Sequence, residues 1–143
     1  MKEINKLYLK YKEIINYLIF GILTTIVSLL TYYILVFTIL NPNNAIELQM
    51  ANIISWITCV TFAYITNRKY VFNSKDKKIT KEIIKFYSSR LTTLFLDMMI
   101  MYIFVTKLQF NDKIIKVIVQ ILIIILNYIL SKILVFKKIK EEN

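Results

Sequence analysis

The sequence predicts an all-α integral membrane protein: four transmembrane helices forming a tandem, parallel repeat of two helical hairpins, preceded by an amphipathic N-terminal segment. Three observations carry this expectation. Hydrophobic residues make up 57% of the 143-residue chain, which has one Gly and one Pro, a balance too apolar for a soluble domain of this size. Four apolar runs, about 17–37, 50–67, 88–107 and 114–135, each approach the ~20 residues needed to cross roughly 30 Å of hydrocarbon. The second and fourth runs also end alike: Tyr64 matches Tyr128, Ile65 matches Ile129, Arg68 matches Lys132, and Val71-Phe72 matches Val135-Phe136.

Taken in order, residues 2–16 place Ile4, Leu7, Tyr8, Tyr11, Ile14 and Ile15 at helical spacing among lysines. Such a segment is expected to lie on the membrane surface before Tyr17 turns the chain inward. No small-residue cleavage site follows the first run, so it is expected to stay in the protein. Asn41-Pro42-Asn43-Asn44 marks a turn before the second run. That run is the most polar, with Asn52, Ser55, Thr58, Cys59 and Thr61, and hydropathy alone leaves it doubtful. The third run has its own lead-in from Ile79 to Phe86, and the fourth, from Ile114 to Phe136, is the least ambiguous.

Placing Glu13 over Glu82 keeps Thr24 with Thr93, Tyr33-Ile34 with Tyr102-Ile103, and Val36 with Val105, an offset of 69 residues; the second helices match at an offset of 64. The whole chain, 1–143, is read as one membrane domain of two repeats, about 13–72 and 82–136, with the second outer loop about five residues shorter. Two crossings per repeat make the halves parallel, with a binding site expected between them.

The net charge of +10 is unevenly spread, which points away from nucleic acid. Lys2, Lys6, Lys10 and Lys12 precede the first run; Arg68, Lys69, Lys75, Lys77, Lys78, Lys81, Lys85 and Arg90 lie between or near the ends of the second and third; Lys132, Lys137, Lys138 and Lys140 close the chain. Lys107, Lys113 and Lys116 alone fall on the other side. The positive-inside rule then gives a multi-pass protein of the cytoplasmic membrane with both termini cytoplasmic, its cations meeting anionic lipids. One cysteine and no histidine leave no Cys/His or Ser/His/Asp set and no metal cluster. An enzyme is the least expected class, and no cofactor is called for.

The third run carries the most informative side chains. Arg90, Thr93, Asp97 and Met101, at i, i+3, i+7 and i+11, share a helix face. A carboxylate near mid-membrane costs several kcal/mol unless paired, protonated or hydrated, so Asp97 reads as a ligand contact or proton site, or as a structural bond between helices. Arg90 reads as an anion contact or as a side chain that snorkels to the interface. Gln120 and Asn127 on the fourth run extend a polar track or hold helices together, and Gly21 is expected to permit close helix packing. Arg68 and Lys69, with Lys132 repeating them more weakly, either snorkel or hold a phosphate at headgroup level.

On these residues the chain resembles the GtrA-like family of small four-helix membrane proteins from about Tyr17 to Phe136. The resemblance rests on Phe20-Gly21 with Thr24-Thr25, on Asn67-Arg68-Lys69-Tyr70-Val71-Phe72, on Arg90 with Asp97, and on Asn127-Tyr128 with Lys132 and Val135-Phe136. The chain departs from the family pattern at Thr24, Ser28, Tyr70 and Lys132, where Asn, Asp, Trp and Arg are usual. The resemblance implies a role in cell-surface polysaccharide or glycolipid glycosylation, beside a membrane glycosyltransferase. It further implies movement of a polyprenyl-phosphate-linked monosaccharide. Arg68, Lys69, Arg90 and Lys132 would then take the phosphate, and Thr93, Asp97, Gln120 and Asn127 the polar track or proton site. Four short helices enclose little volume, so a homodimer or a complex with the transferase is expected.

Two readings follow from different classes: a flippase for this lipid, or a non-transporting adaptor that anchors or positions the glycosyltransferase. A small multidrug-type exporter also uses four helices and one membrane carboxylate, but there the acid binds a cation, and Arg90 on the same face opposes that.

Overall fold

The computed structural model describes residues 2–41 and 43–136, without the side chains of 2–8, 45, 112, 113 and 116. The expectations placed on Lys2, Lys6, Lys113, Lys116, Lys137, Lys138, Lys140, Pro42 and the apolar side chains Ile4, Leu7 and Tyr8 therefore lie outside the described residues. All regular structure among the described residues is helical. Four helical stretches are long and apolar enough to span a bilayer: Leu9–Thr38, Ile46–Val71, Ile79–Lys107 and Val117–Val135. The chain divides into two compact units, one up to Asn73 and one from Ser74.

In the first unit, helix α1 runs unbroken over Lys2–Thr38, 37 residues, a length of roughly 55 Å. It does not turn at Tyr17. No proline interrupts it, and the single Gly21 costs about 1 kcal/mol of helix propensity, too little to break so long an element. Its hydroxyls return to their own backbone: Thr24 donates to the Phe20 carbonyl at 2.7 Å, Thr31 to Val27 at 2.8 Å and Thr38 to Ile34 at 2.5 Å.

The loop 39–44 is fastened by its amides. Asn44 caps helix α2 (Ala45–Thr66), its Oδ1 accepting from Ile46 N at 3.0 Å. Glu47, in the first turn, accepts from Asn44 Nδ2 at 3.0 Å and from Asn41 N at 2.6 Å. Asn44 thus caps the helix through its side chain, while Glu47 ties the loop to the first turn. Three of the polar residues that made this run doubtful bond within the helix: Ser55 on Ala51 O at 2.5 Å, Thr58 on Ile54 O at 2.8 Å, Thr61 on Ile57 O at 2.7 Å. Back-bonded hydroxyls expose little unsatisfied polarity to lipid, so α2 qualifies as a span. Its buried face includes Ala51, Ser55, Val60, Ala63, Tyr64 and Thr66.

Helix α2 ends in one π-helical turn, Asn67–Val71, closed by Phe72 N on Asn67 O at 2.9 Å. Asn67, Val71 and Phe72 are buried. Helix α1 braces this end, with Asn16 Nδ2 donating to Tyr70 O at 3.1 Å and Phe20 stacked on Tyr70 at 5.2 Å between centroids.

The second unit also holds two long helices. Its leading segment is pinned by Ser74, whose hydroxyl donates to Glu82 at 2.7 Å, and by Asp76, which accepts from Lys78 N at 2.8 Å. Helix α3 (Ile79–Met101) continues through a π-helical stretch, Tyr102–Lys107. After the loop 108–111, with Gln109 at φ 55, helix α4 (Asp112–Leu130) begins, Asn111 Oδ1 accepting from Ile114 N at 3.2 Å. Helix α4 ends in a π-helical turn, Ser131–Val135, closed by Phe136 N on Ser131 O at 2.8 Å.

Candidate functional site

The buried face of α3 is formed by Glu82, Phe86, Ser89 and Thr93, at i, i+4, i+7 and i+11. The sequence pattern had selected Arg90, Thr93, Asp97 and Met101. At 100° per residue the two stripes share Thr93, and Arg90 and Asp97 fall to one side of the buried centre line. Both are half-buried. Glu82, Phe86 and Ser89 were missed as site neighbours; their regular spacing was present in the sequence, but Glu82 served there only as a register mark.

Thr93 lies at the centre of the Ile79–Lys107 span. Its Oγ is 2.9 Å from Asn127 Oδ1 on α4, a side-chain bond between two helices, and 3.1 Å from the Arg90 carbonyl. Two residues of the expected polar track, Thr93 and Asn127, are therefore brought together, with Arg90 one turn away. The Arg90 guanidinium runs back toward the N-terminus of α3 and lies over the Phe86 ring, 4.7 Å from its centroid. That is the direction in which side chains lean on a helix. Phe86, with no exposed surface, packs against Phe136 at the end of α4, with centroids 5.8 Å apart.

Arg90 is thus seated against an aromatic wall. The ring face attracts the cation, but it offers nothing to the Nε–H, which is buried and has no hydrogen-bond acceptor among the described residues. An amide-like donor left in this condition costs about 1–3 kcal/mol. A phosphate or carboxylate oxygen is the acceptor a guanidinium matches best. The hydroxyl of Ser131, with no exposed surface, is likewise buried without a described partner, as is Asn67 Oδ1 in the first unit.

The remaining candidates are less concentrated. Arg68 is half-buried and Lys69 exposed on the Asn67–Val71 turn, with the Lys69 ammonium 5.2 Å from the Tyr70 ring. Lys132 is exposed and reaches back to Tyr128, donating to its hydroxyl at 3.1 Å. Gln120 is exposed on α4, seven residues before Asn127 and about 10 Å away along the axis, so it does not join the Thr93–Asn127 pair. Gly21 has nothing within 4 Å of where a Cβ would stand. Its expected role in close packing is therefore corrected: the site is open because the neighbouring surface is distant.

Comparison with known proteins places these features in context. The family described as GtrA/DPMS, transmembrane domain, matches residues 16–136. An uncharacterized membrane protein of Bacillus subtilis, YwcD, is 40% identical over 129 residues, covering 88% of this chain and 98% of that protein. The cell wall teichoic acid glycosylation protein GtcA of Listeria monocytogenes is 32% identical over 128 residues, and that of Listeria innocua 33%, each match covering 87% of this chain and 85% of the relative. No solved structure matches the chain.

Proposed function

Because the chain belongs to the GtrA/DPMS transmembrane-domain family, we propose that it is a flippase for a polyprenyl-phosphate-linked monosaccharide used to glycosylate a cell-surface polymer. The observation that carries this reading is the Arg90 guanidinium, held on the Phe86 ring with Nε buried and unaccepted among the described residues, inside a helix long and apolar enough to span a membrane. A lipid-linked sugar phosphate has an anion to meet that donor and hydroxyls to exchange bonds with Thr93 and Asn127 one turn farther on. Asp97, two turns beyond Arg90, extends the polar edge of α3, and Lys132 adds a cation at the end of α4. The two Listeria relatives named for teichoic acid glycosylation support a wall polymer as the acceptor. A glycosyltransferase that consumes the lipid-linked sugar would be the working partner, and a homodimer would enlarge the small interior of four helices.

The tandem repeat belongs to this reading. It is supported by the boundary between the units at Asn73 and Ser74 and by the matching ends of α2 and α4. Each closes a π-helical turn with an i+5 backbone bond, and each buries three residues in the same order, Asn67, Val71, Phe72 and Ser131, Val135, Phe136. The register also accounts for the shorter second loop. Residues 108–111 replace 39–44, and α4 starts three residues later in register than α2, so the five-residue difference divides between loop and first turn. The lysine-rich segment leading into α3 supports a cytoplasmic placement of both termini in the cytoplasmic membrane.

Liposomes carrying the full chain test the proposal by following the sidedness of a polyprenyl-phosphate sugar. Wild type is expected to move it, and Arg90→Ala and Asp97→Asn at matched insertion are expected to move it far more slowly. No movement by wild type, together with tight retention of a transferase, would replace the flippase with an adaptor.

A further inference from the structure

The segment entering α3 separates its charges. Within eleven residues it carries Lys75, Lys77, Lys78, Lys81 and Lys85, all exposed, and two acids turned to other duties. Asp76 is half-buried and accepts from Lys78 N; Glu82 is 2% exposed and accepts from Ser74. The acids hold the backbone in place and the ammonium groups face outward.

Two features make this more than a solvated run. A helix N-terminus is the positive end of the macrodipole, where lysines are unfavourable and carboxylates or phosphates favourable. Lys78 is the N-cap of α3 and supplies no side-chain hydrogen bond to the first turn, and Lys81 and Lys85 follow at i+3 and i+7 on one face. The buried Glu82 in the first turn offsets part of this charge, and the exposed ammonium groups leave an excess that an external anion relieves. The second feature is what adjoins that face. Ile84, Leu91 and Phe95, 60%, 49% and 73% exposed, continue along α3 beside the lysines. Cations followed by an open apolar strip match a ligand with an anionic head and acyl chains, and match neither free phosphate nor an acidic soluble surface.

The geometry points to a docking site for acidic phospholipids at the N-terminal end of α3, with the headgroup phosphate on Lys78, Lys81 and Lys85 and the acyl chains along Ile84, Leu91 and Phe95. This site is separate from Arg90 and goes beyond translocation: it sets which lipids border the second unit. It is read without any sugar cargo, so failure of the flippase reading and failure of this one are distinguishable.

The test uses the full chain in phosphatidylcholine nanodiscs containing a minor fraction of spin-labelled phosphatidylglycerol or spin-labelled phosphatidylcholine, and compares how strongly each associates with the protein. Wild type is expected to prefer phosphatidylglycerol. Lys78→Gln/Lys81→Gln/Lys85→Gln is expected to reduce that preference about tenfold, and the corresponding triple arginine variant to keep it. The preference should also fall as salt rises and the screening length shortens from about 30 Å at 0.01 M to about 3 Å at 1 M. Equal melting temperatures of the variants in pure phosphatidylcholine guard against misfolding. Unchanged preference in the glutamine variant, or no preference in wild type, overturns the proposal. So does an acidic transferase that binds wild type through these lysines while lipid preference stays flat.

Discussion

The two hairpin units end alike and differ inside. Both terminate their second helix in a π-helical turn whose last residues are buried Val and Phe, and both seat an aromatic of the first helix among the buried residues, Tyr17 in one and Phe86 in the other. Inside, the first unit gathers its described polar features at the Asn67–Val71 end, with Asn67 Oδ1 buried, Arg68 half-buried and Asn16 bonded to Tyr70 O. Thr24, Thr31, Ser55 and Thr61 of α1 and α2 donate to carbonyls of their own helix. In the second unit Thr93 reaches across to Asn127, and Arg90 occupies the register position that Gly21 holds in the first. The contrast teaches that like helix ends go with different interiors. Scaffold and site can therefore be broken separately.

The largest expected effect falls on the scaffold of the second unit. Phe86 has no exposed surface and meets Phe136, while its counterpart Tyr17 is 7% exposed. In a bilayer the lost side chain is not transferred to water, so the penalty of Phe86→Ala is mostly lost packing, about 2–3 kcal/mol. Thermal unfolding in detergent should show this loss, and Arg90 should lose its aromatic seat with it. Next comes Arg90 itself. Losing one charge-assisted contact to the lipid phosphate is worth about 2 kcal/mol, or roughly thirtyfold in translocation rate, in Arg90→Ala. Folding should hardly change, because the mutation also removes a buried donor without a described acceptor. If melting drops as far as transport does, Arg90 is structural and the contrast between the units is one of packing.

The spans were legible because an apolar run of about 20 residues is a strong signal in any register. The site was legible in part. Arg90, Thr93 and Asn127 stood out as polar residues in apolar runs, and two of them meet. The true buried face of α3 did not stand out, because in a membrane helix both the interior and the lipid-facing sides are apolar and periodicity cannot rank them. Phe86 and Phe95 look equivalent in sequence, yet one has no exposed surface and the other is 73% exposed. The π-helical turns had no residue signature at all. Asn67 and Ser131, which open two of them, are ordinary polar residues whose burial depends on how each hairpin closes.

A smaller effect separates the interhelical bond from the hydroxyls that bond to their own helix. A double-mutant cycle of Thr93→Val and Asn127→Leu should give a coupling of about 0.6 kcal/mol, within the range measured for membrane helices and below about 2 kcal/mol. Thr24→Val and Ala63→Leu, at the corresponding register positions of the first unit, should show none, because Thr24 already donates to Phe20 O at 2.7 Å. Coupling in both units would mean that the helices of the first unit are less self-contained than these hydrogen bonds imply.

The smallest effect is the sharpest test of what Gly21 contributes. If it served close packing, Gly21→Ala would clash and destabilise. Instead a Cβ there meets nothing within 4 Å, and the residue is exposed in the middle of an unbroken helix. Alanine is then better than glycine by about 0.5–1 kcal/mol of helix propensity, so Gly21→Ala should melt slightly higher and transport as wild type does. A lower melting temperature for the isolated chain would reverse this and restore the packing role. Unchanged melting with lost transport would show that α1 is approached at Gly21 by something during function, and the unit with Gly21 where the other has Arg90 would no longer be the passive half of the protein.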